Sequence, residues 1–226
     1  YPFVCSLLAI FKTKFTGWEL IVVDDGSTDK SAAIARSFGA KVLQTKGREG
    51  PGAARNLGAK AAQGEYLCFI DADCEVQEDA IALLAEKLQL QPQIDALFGS
   101  YDDAPAATNF VAQYKNLMHH YVHQQGSEDA STFWAGFGVV KRELFLKLGG
   151  FDLERYPRPS IEDIDLGYRL KQEGAKIHLA KELQVKHHKA WKLFGLIKVD
   201  IFDRGIPWTK LLLGNKSNRI NDLNLQ

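Results

Sequence analysis

Apolar runs that stop in polar turns, with helix-like stretches between them, constrain the first hundred residues of this chain more than any other feature. Leu20-Ile21-Val22-Val23 runs straight into Asp24-Asp25-Gly26-Ser27, a strand signal ending in turn composition. Thr28 to Phe38 then reads as a helix, with Ala32, Ala35 and Phe38 able to share a face, and Gly39 stops it. Lys41 to Gln44 is the second strand. After the glycine-rich loop Gly47-Arg48-Glu49-Gly50-Pro51-Gly52, Ala53 to Gln63 suits a helix. Its Ala54, Leu57, Gly58 and Ala61 form a close-packing stripe, and Gly64 ends it. Tyr66 to Ile70 is the third strand, apolar on both faces as in the middle of a parallel sheet. Asp79 to Leu90 is helical and Asp95 to Ser100 is a fourth strand. This β-α-β-α-β-α-β order predicts an α/β fold, a mostly parallel central sheet flanked by helices. Ligands of such sheets bind beyond the carboxyl ends of strands, where Asp24 and Asp71 fall.

The second half has another texture. Thr108 to Gln124 spaces Phe110, Val111, Tyr114, Leu117, Met118, Tyr121 and Val122 as one apolar stripe, which reads as an amphipathic helix. His119, His120 and His123 lie beside that stripe and read as surface or boundary histidines. Phe133 to Lys141 reads as a strand in which Gly136 and Gly138 permit a tight backbone approach. Arg142 to Leu148 and Glu162 to Glu173 are helices stopped by glycine, and Lys176 to Ala180 and Leu183 to Lys186 are two short strands.

Bulk properties exclude some classes. With 226 residues the chain suffices for one large domain or two small ones. Its formal net charge of +0 argues against a general nucleic-acid binder, so no nucleic-acid partner is expected. Three cysteines at irregular spacing suggest neither a disulfide scaffold nor a structural zinc site. Cys68, inside an apolar run, reads as a buried thiol in a reducing compartment. No charged-then-apolar leader and no run of eighteen apolar residues is seen, so a cytoplasmic location is expected. The abrupt start and the polar stretch Asn215 to Gln226 suggest a piece of a longer protein.

The chemistry-bearing residues are mostly acids. Asp71-Ala72-Asp73 follows a strand directly. Two carboxylates around one small residue can share Mg²⁺ or Mn²⁺, can divide between a cation and a ribose hydroxyl, or can belong to a solvated loop. Asp24 and Asp25 could accept hydrogen bonds from a base or ribose, or sit in a turn that Ser27 and Thr28 cap unaided. Arg55, in the first turn after the glycine-rich loop, could fork onto a phosphate or a base carbonyl, or lie at the surface. The loop lacks the phosphate-binding G-x-x-x-x-G-K-S/T pattern and the chain lacks a dinucleotide fingerprint, which disfavours P-loop ATPases and nicotinamide dehydrogenases.

Four segments in order carry a family resemblance: ELIVVDDGSTD at 19–29, GPGAARNLGAKAAQGEYLCFIDAD at 50–73, WAGFGVVKRELFLKLGGFD at 134–152 and EDIDLGYRLKQEGAKI at 162–177. Together they resemble family 2 glycosyltransferases of the GT-A fold. The resemblance implies a nucleotide-sugar donor, UDP-linked in the first instance, and direct displacement with inversion at the anomeric carbon. It implies that Asp24, with Asp25 beside it, contacts the nucleobase and that Arg55 helps hold the nucleotide. Asp71 would reach ribose or the metal-bound diphosphate, and Asp73 would be the main protein ligand of Mg²⁺ or Mn²⁺. Asp163, paired with Glu162, matches the family's catalytic base. From the residues alone, Glu162-Asp163 could equally be a charge pair favoured by a helix N-terminus. Trp134 resembles the segment lining the sugar and acceptor pocket, and also suits ordinary packing.

The resemblance also implies an organisation and partners. Residues 1–190 would form the GT-A catalytic domain, with a nucleotide-binding half to about 100 and an acceptor-binding half after it. Residues 191–226 would be an amphipathic, membrane-proximal extension with a membrane-surface contact at the cytoplasmic face. The acceptor would be a lipid-linked sugar, a polyprenyl phosphate or a nascent glycan. A phosphate acceptor is already ionised and would not need Asp163 as base. Adjacent strand residues point oppositely, so only one of His187 and His188 is expected as a further metal ligand, and by position the resemblance implies His187. Arg204 distantly resembles an arginine that reaches diphosphate in membrane-associated synthases, or pairs with Asp203. One departure stands out: Tyr1 to Val4 runs at once into Cys5 to Phe11, as if residues between Val4 and Cys5 were missing. The alternatives are a sugar-phosphate nucleotidyltransferase and a non-catalytic nucleotide- or carbohydrate-binding module.

Overall fold

The computed structural model describes residues 17–214, so the expected gap between Val4 and Cys5 lies outside the described residues. Strands β1 (Ile21–Asp24) and β2 (Lys41–Gln44) pair in parallel and are joined by helix α1 (Ser31–Ser37). Helix α2 (Pro51–Ala61) begins with proline at its first turn, where the missing N–H costs nothing. A larger sheet holds β3 (Tyr66–Ile70), β4 (Cys74–Val76), β5 (Ala96–Tyr101), β6 (Asp129–Ala130), β7 (Phe137–Lys141) and β8 (Ile177–His187). Its order is β3-β7-β5-β8-β4, with β6 also on β8. Helices α3 (Ala80–Leu90), α4 (Phe110–Gln125), α5 (Arg142–Lys147) and α6 (Glu162–Gln172) complete the α/β body.

The sheet is mixed rather than mostly parallel. β5 and β8 are parallel, but β7 runs against both β3 and β5, and β4 and β6 run against β8. Insertion of β7 between β3 and β5 accounts for the difference, because it separates strands that a simple right-handed crossover would have made neighbours. β3 therefore has β7 as its one partner among the described residues. Leu67 and Phe69 turn inward and Cys68 is exposed, not buried as its apolar neighbours suggested. Where two short strands were expected near the end, β8 is continuous. Lys181 and Glu182 interrupt its apolar pattern at a bulge, where register jumps from Phe98↔Leu179 to Ser100↔Gln184.

Aromatic residues fill one face of the sheet. Phe69, Phe98, Phe133, Phe145 and Phe151 pack with Leu166 and Leu170. Each contributes about 1.5–3 kcal/mol on full burial. Leu84, Leu97, Phe137, Val139, Leu183 and Val185 fill the other face.

Helix α4 is turned over relative to its sequence pattern. Phe110 is 82 % exposed and Tyr121 61 %, and Tyr114, Leu117 and Met118 are also exposed. The inward face is instead Ala112 and Asn116, followed by His119 and His123. β5 explains this preference. Its end leaves carbonyls that need donors, and Nδ1 of His120 lies 2.7 Å from the Tyr101 oxygen while Nδ1 of His123 lies 3.1 Å from that of Gly99. An apolar stripe could not supply those bonds.

Beyond β8, helix α7 (Leu193–Lys198), a π-helical stretch (Val199–Gly205) and helix α8 (Ile206–Gly214) run on from one another. Trp191 and Leu196 pack on Ala112, and Lys115 bridges to Asp200 at 2.7 Å. Trp208 donates to the Tyr168 hydroxyl at 3.0 Å. Among the described residues no helix is long and apolar enough to cross a membrane.

Candidate active site

Acids and their partners gather where β3 ends, β7 and α6 begin, and β8 finishes. β3 delivers Asp71, whose N–H donates to the Gly136 carbonyl at 3.1 Å. The turn closes when Cys74 N–H donates back to the Asp71 carbonyl at 2.9 Å. Asp73, on that turn, receives the His188 N–H on its own carbonyl at 2.9 Å, which ties the acid turn to the end of β8.

Arg55 projects from α2 into this cluster. Its Nη2 is 2.5 Å from Asp71 Oδ1 and its Nη1 is 3.6 Å from Glu162 Oε1. The guanidinium also lies over the Phe151 ring, 5.4 Å from the centroid. Burial opposes the charge of Arg55, but Asp71, Asp163 and Glu162 outweigh it and hold the guanidinium firmly protonated. It is an interior counter-ion for three carboxylates rather than a surface residue.

Helix α6 opens with Glu162, Asp163 and Asp165 in its first turn, where the helix dipole favours acids. Their neighbours differ. Glu162 Oε2 accepts from the Ser160 N–H at 2.8 Å. Asp165 faces away and pairs with Arg155 at 2.9 Å and Arg169 at 2.8 Å. Asp163 has no such cation bonded to it among the described residues. Its Oδ2 accepts from the Ala135 N–H at 3.2 Å. Burial, followed by the charge of Glu162, pushes its carboxyl up to about 6 against the pull of Arg55.

Asp73 goes the other way. Burial raises it, but a hydrogen bond and charge from His187 win, so its carboxyl is held below the usual range. His187 Nε2 is 3.5 Å from Asp73 Oδ2, and the buried ring stacks on Tyr101 with centroids 4.4 Å apart at 11°. His188 turns to the other side and meets Glu75 at 2.6 Å. Among the described residues no three His, Cys, Asp or Glu side chains converge as a metal cage. Asp73 Oδ2 and His187 Nε2 are nonetheless spaced as two donors to one ion. A hard cation that takes its remaining oxygens from phosphate and water fits that set.

Trp134 forms the wall between these groups. Its indole folds back over Gly136, where a Cβ would sit 2.2 Å from the ring, so only glycine fits there. It meets Tyr101 edge-on at 4.8 Å and His119 at 5.1 Å. Burial drives His119 well below the ordinary histidine range and His123 down to about 4, so both imidazoles are neutral in this wall. His119, His123 and Tyr101 were not anticipated as part of the site. The available signal was the small-and-polar stripe Ala112, Asn116, His119, His123 running opposite the apolar one.

Asp24 and Asp25 stand apart at the end of β1. Asp24 accepts from Ser27 N–H at 2.9 Å and from Gln44 at 3.3 Å, and the Ser27 bonds hold its carboxyl low. Asp25 accepts from Thr45 at 2.6 Å and from the N–H groups of Glu49 and Gly50 at 2.8 Å each. That pins the glycine-rich loop ahead of α2. Arg204, in the π-helical stretch, has no ion pair among the described residues, because Asp203 pairs with Arg158 at 2.9 Å. Its charge bears on both Asp163 and Tyr101.

Comparison with known proteins identifies the family and the fold. The family description "Glycosyl transferase family 2" matches residues 2–149. The chain belongs to glycosyl transferase family 2. A family relative, glycosyltransferase GlyG of Streptococcus pneumoniae, is 35 % identical over 154 residues, covering 60 % of this chain and 51 % of that protein. An uncharacterized glycosyltransferase of Haemophilus influenzae is 38 % identical over 81 residues, covering 34 % of this chain and 32 % of its own length. The chain thus spans about half or less of these relatives. Among solved structures, a mannosyltransferase from Pyrobaculum calidifontis in complex with GDP-Man and Mn²⁺ superposes with TM-score 0.69 at 17 % identity. It covers 94 % of this chain and 61 % of its own. Glucosyl-3-phosphoglycerate synthase from Mycobacterium tuberculosis, in complex with Mn²⁺, UDP and its product, gives TM-score 0.61 at 18 % identity. It covers 88 % of this chain and 71 % of its own. Both likenesses establish the GT-A fold.

Proposed function

We propose that this chain is the catalytic domain of an inverting glycosyltransferase that moves a sugar from a nucleoside-diphosphate donor, UDP-linked, to a hydroxyl of a lipid-linked or glycan acceptor. The observation that carries the reading is a divergence of acidity in one cluster: Asp163 is raised to about 6 while Asp73 is held low. Two carboxyls pushed apart by their surroundings suit different tasks, one exchanging a proton and one staying charged.

Asp73 and His187 would hold Mg²⁺ or Mn²⁺ together with donor phosphate oxygens. When bound, the cation offsets charge that builds on the leaving diphosphate. Asp163 accepts the proton of the attacking hydroxyl, and the N–H groups of Ala135 on Oδ2 and Ile164 on Oδ1 hold the carboxylate for that task. The charge of Glu162 helps keep the Asp163 carboxyl raised, and Arg55 opposes that rise. Asp71 and Arg55 line the diphosphate side, and Arg204 supplies a positive charge not already neutralised within the described residues. Asp24 and Asp25 shape the base and ribose end, and Trp134 closes the sugar pocket. Residues 1–190 form the catalytic domain in this reading, and residues from 191 on form the extension.

The same reading includes a membrane-surface contact at the cytoplasmic face. Exposed Leu193, Phe194, Ile197, Ile201 and Phe202 lie beside Lys189, Lys192 and Lys198, a composition that suits anionic lipid. The exposed side of α4 adds Phe110 and Tyr114.

The test is donor turnover. Purified protein is incubated with a panel of nucleotide-sugars and acceptors, with Mn²⁺, with Mg²⁺ and with chelator. Metal-dependent release of nucleoside diphosphate, lost in Asp73→Asn and in Asp163→Asn, is the expected result. Turnover insensitive to chelator and to both substitutions would overturn the mechanism.

A further inference from the structure

Asn116 is 1 % exposed in the middle of α4, a costly place for an amide. Its Oδ1 lies 2.5 Å from His187 Nδ1. Its Nδ2 is equally buried and has no hydrogen-bond partner among the described residues. The side chain is therefore spent on one contact, with the imidazole. A leucine of similar size would fill the space without leaving a buried N–H group unpaired, so the amide is poorly explained by packing.

We infer that Asn116 is a positioning residue for metal binding: it fixes the tautomer and direction of His187, so that a bare Nε2 faces the cation held with Asp73. The inference deepens the proposed function and rests on its assignment of Asp73 and His187. The chemistry is direct. A carbonyl oxygen at Nδ1 requires the proton on Nδ1, so when a cation displaces the proton that Nε2 shares with Asp73, the lone pair is left on Nε2. Nε2 is the atom turned toward Asp73 Oδ2, at 3.5 Å. The Tyr101 ring, stacked 4.4 Å away at 11°, fixes the plane in which the imidazole lies. Stacking alone permits the ring in either of two orientations related by a 180° flip about Cβ–Cγ, and the Asn116 contact selects one of them. Outer partners of metal-bound histidines work in this way, and their loss weakens metal binding about 10–100-fold.

The placement also accounts for the inverted α4. The helix presents Ala112, Asn116, His119 and His123 to the sheet, and Asn116 is the one that reaches the end of β8. Its apolar stripe is left outside as a consequence.

The experiment titrates Mn²⁺ alone into the full chain and follows the electron paramagnetic resonance signal of the free aquated ion. Asn116→Leu is expected to weaken binding about 10–100-fold, and Asn116→Asp, which keeps an acceptor, to stay within about threefold of the parent. His187→Ala should weaken binding as well, and adding Asn116→Leu to it should cost nothing more. If His187→Ala binds Mn²⁺ unchanged, the metal assignment itself falls and the inference with it. If His187→Ala weakens binding but Asn116→Leu does not, only the positioning role is overturned. Should Asn116→Leu fail to fold, ¹⁵N resonances of His187 in the parent protein with Mg²⁺ decide the matter. A proton on Nδ1 supports the inference and a proton on Nε2 overturns it.

Discussion

Asp25 and Asp163 make an instructive pair. Both are acids at the start of a turn or helix beside the sheet. Asp25 receives three hydrogen bonds, from Thr45, Glu49 and Gly50. Burial raises its carboxyl, but those bonds outweigh it and leave it low. Asp163 receives two, from the N–H groups of Ala135 at 3.2 Å and Ile164 at 2.9 Å, but it is buried beside the like charge of Glu162 and rises to about 6. Residue type and position in the chain do not separate them. The balance of burial against bonds and charges does. Asp25 suits a framework role because its bonds outweigh its burial, whereas Asp163 would suit proton exchange because burial outweighs its bonds.

The largest expected break in that comparison is Asp163→Asn, which should lower turnover by about 10²–10⁴-fold with a hydroxyl acceptor, read as nucleoside diphosphate release. Unchanged turnover would point to an acceptor that is already ionised. The same variant should be more stable than the parent. A carboxyl whose folded value exceeds its ordinary 3.8 binds extra protons in the native state between 3.8 and about 6, so it costs stability as pH rises through that window. Thermal unfolding of Asp163→Asn should therefore gain on the order of 1–3 kcal/mol above pH 7 and nothing near pH 4.

Asp25→Ala should move the opposite way. Losing bonds to an ionised acceptor should cost about 2 kcal/mol in urea unfolding at neutral pH. Its carboxyl is held low, so that contribution is present above the ordinary carboxylate range and fades as pH falls through the depressed value. Next in size is the pH profile of turnover: kcat/KM should fall about tenfold per pH unit below roughly 6 and level off above it. A profile without that limb would detach Asp163 from the proton transfer. The smallest effect concerns α4. Phe110→Ser and Tyr114→Ser, on exposed side chains, should change stability by less than about 0.5 kcal/mol. They should also reduce co-sedimentation with anionic lipid vesicles, and unchanged co-sedimentation would remove α4 from the membrane contact.

Elements with strong local signals were legible in the sequence. Lys41–Gln44 and Tyr66–Ile70 fall where their apolar runs put them, because each run is bounded by glycine or acid. Four helices drifted by one to three residues at their starts, as at Pro51, where proline enters the first turn, whereas Arg142 and Glu162 open theirs where expected. Strand direction was not legible, since β7 reaches its place through contacts far along the chain. Helix α4 misled for a different reason. Periodicity shows that a helix has two faces, and burial follows from what the neighbouring strand needs. At Gly99 and Tyr101 it needs donors, and histidines meet that need where phenylalanine cannot. The acids of the site could be picked out by their spacing, but their acidities could not, because donors such as the Ala135 and Gly50 N–H groups come from elsewhere in the fold.

The widened turn at Val199–Gly205 has a consequence for how such a chain can vary. A coil that is wide over one stretch is out of phase with its neighbours on either side. Deleting one residue there would tighten it and swing everything downstream by about 100° around the axis. Trp208 would leave Tyr168, and the apolar residues of α8 would face a new direction. Substitution can change what this segment touches, but only a change of length can re-aim it. Natural or designed variants that differ by a single residue in this stretch should therefore differ in which surface they dock, while keeping the same cluster of acids.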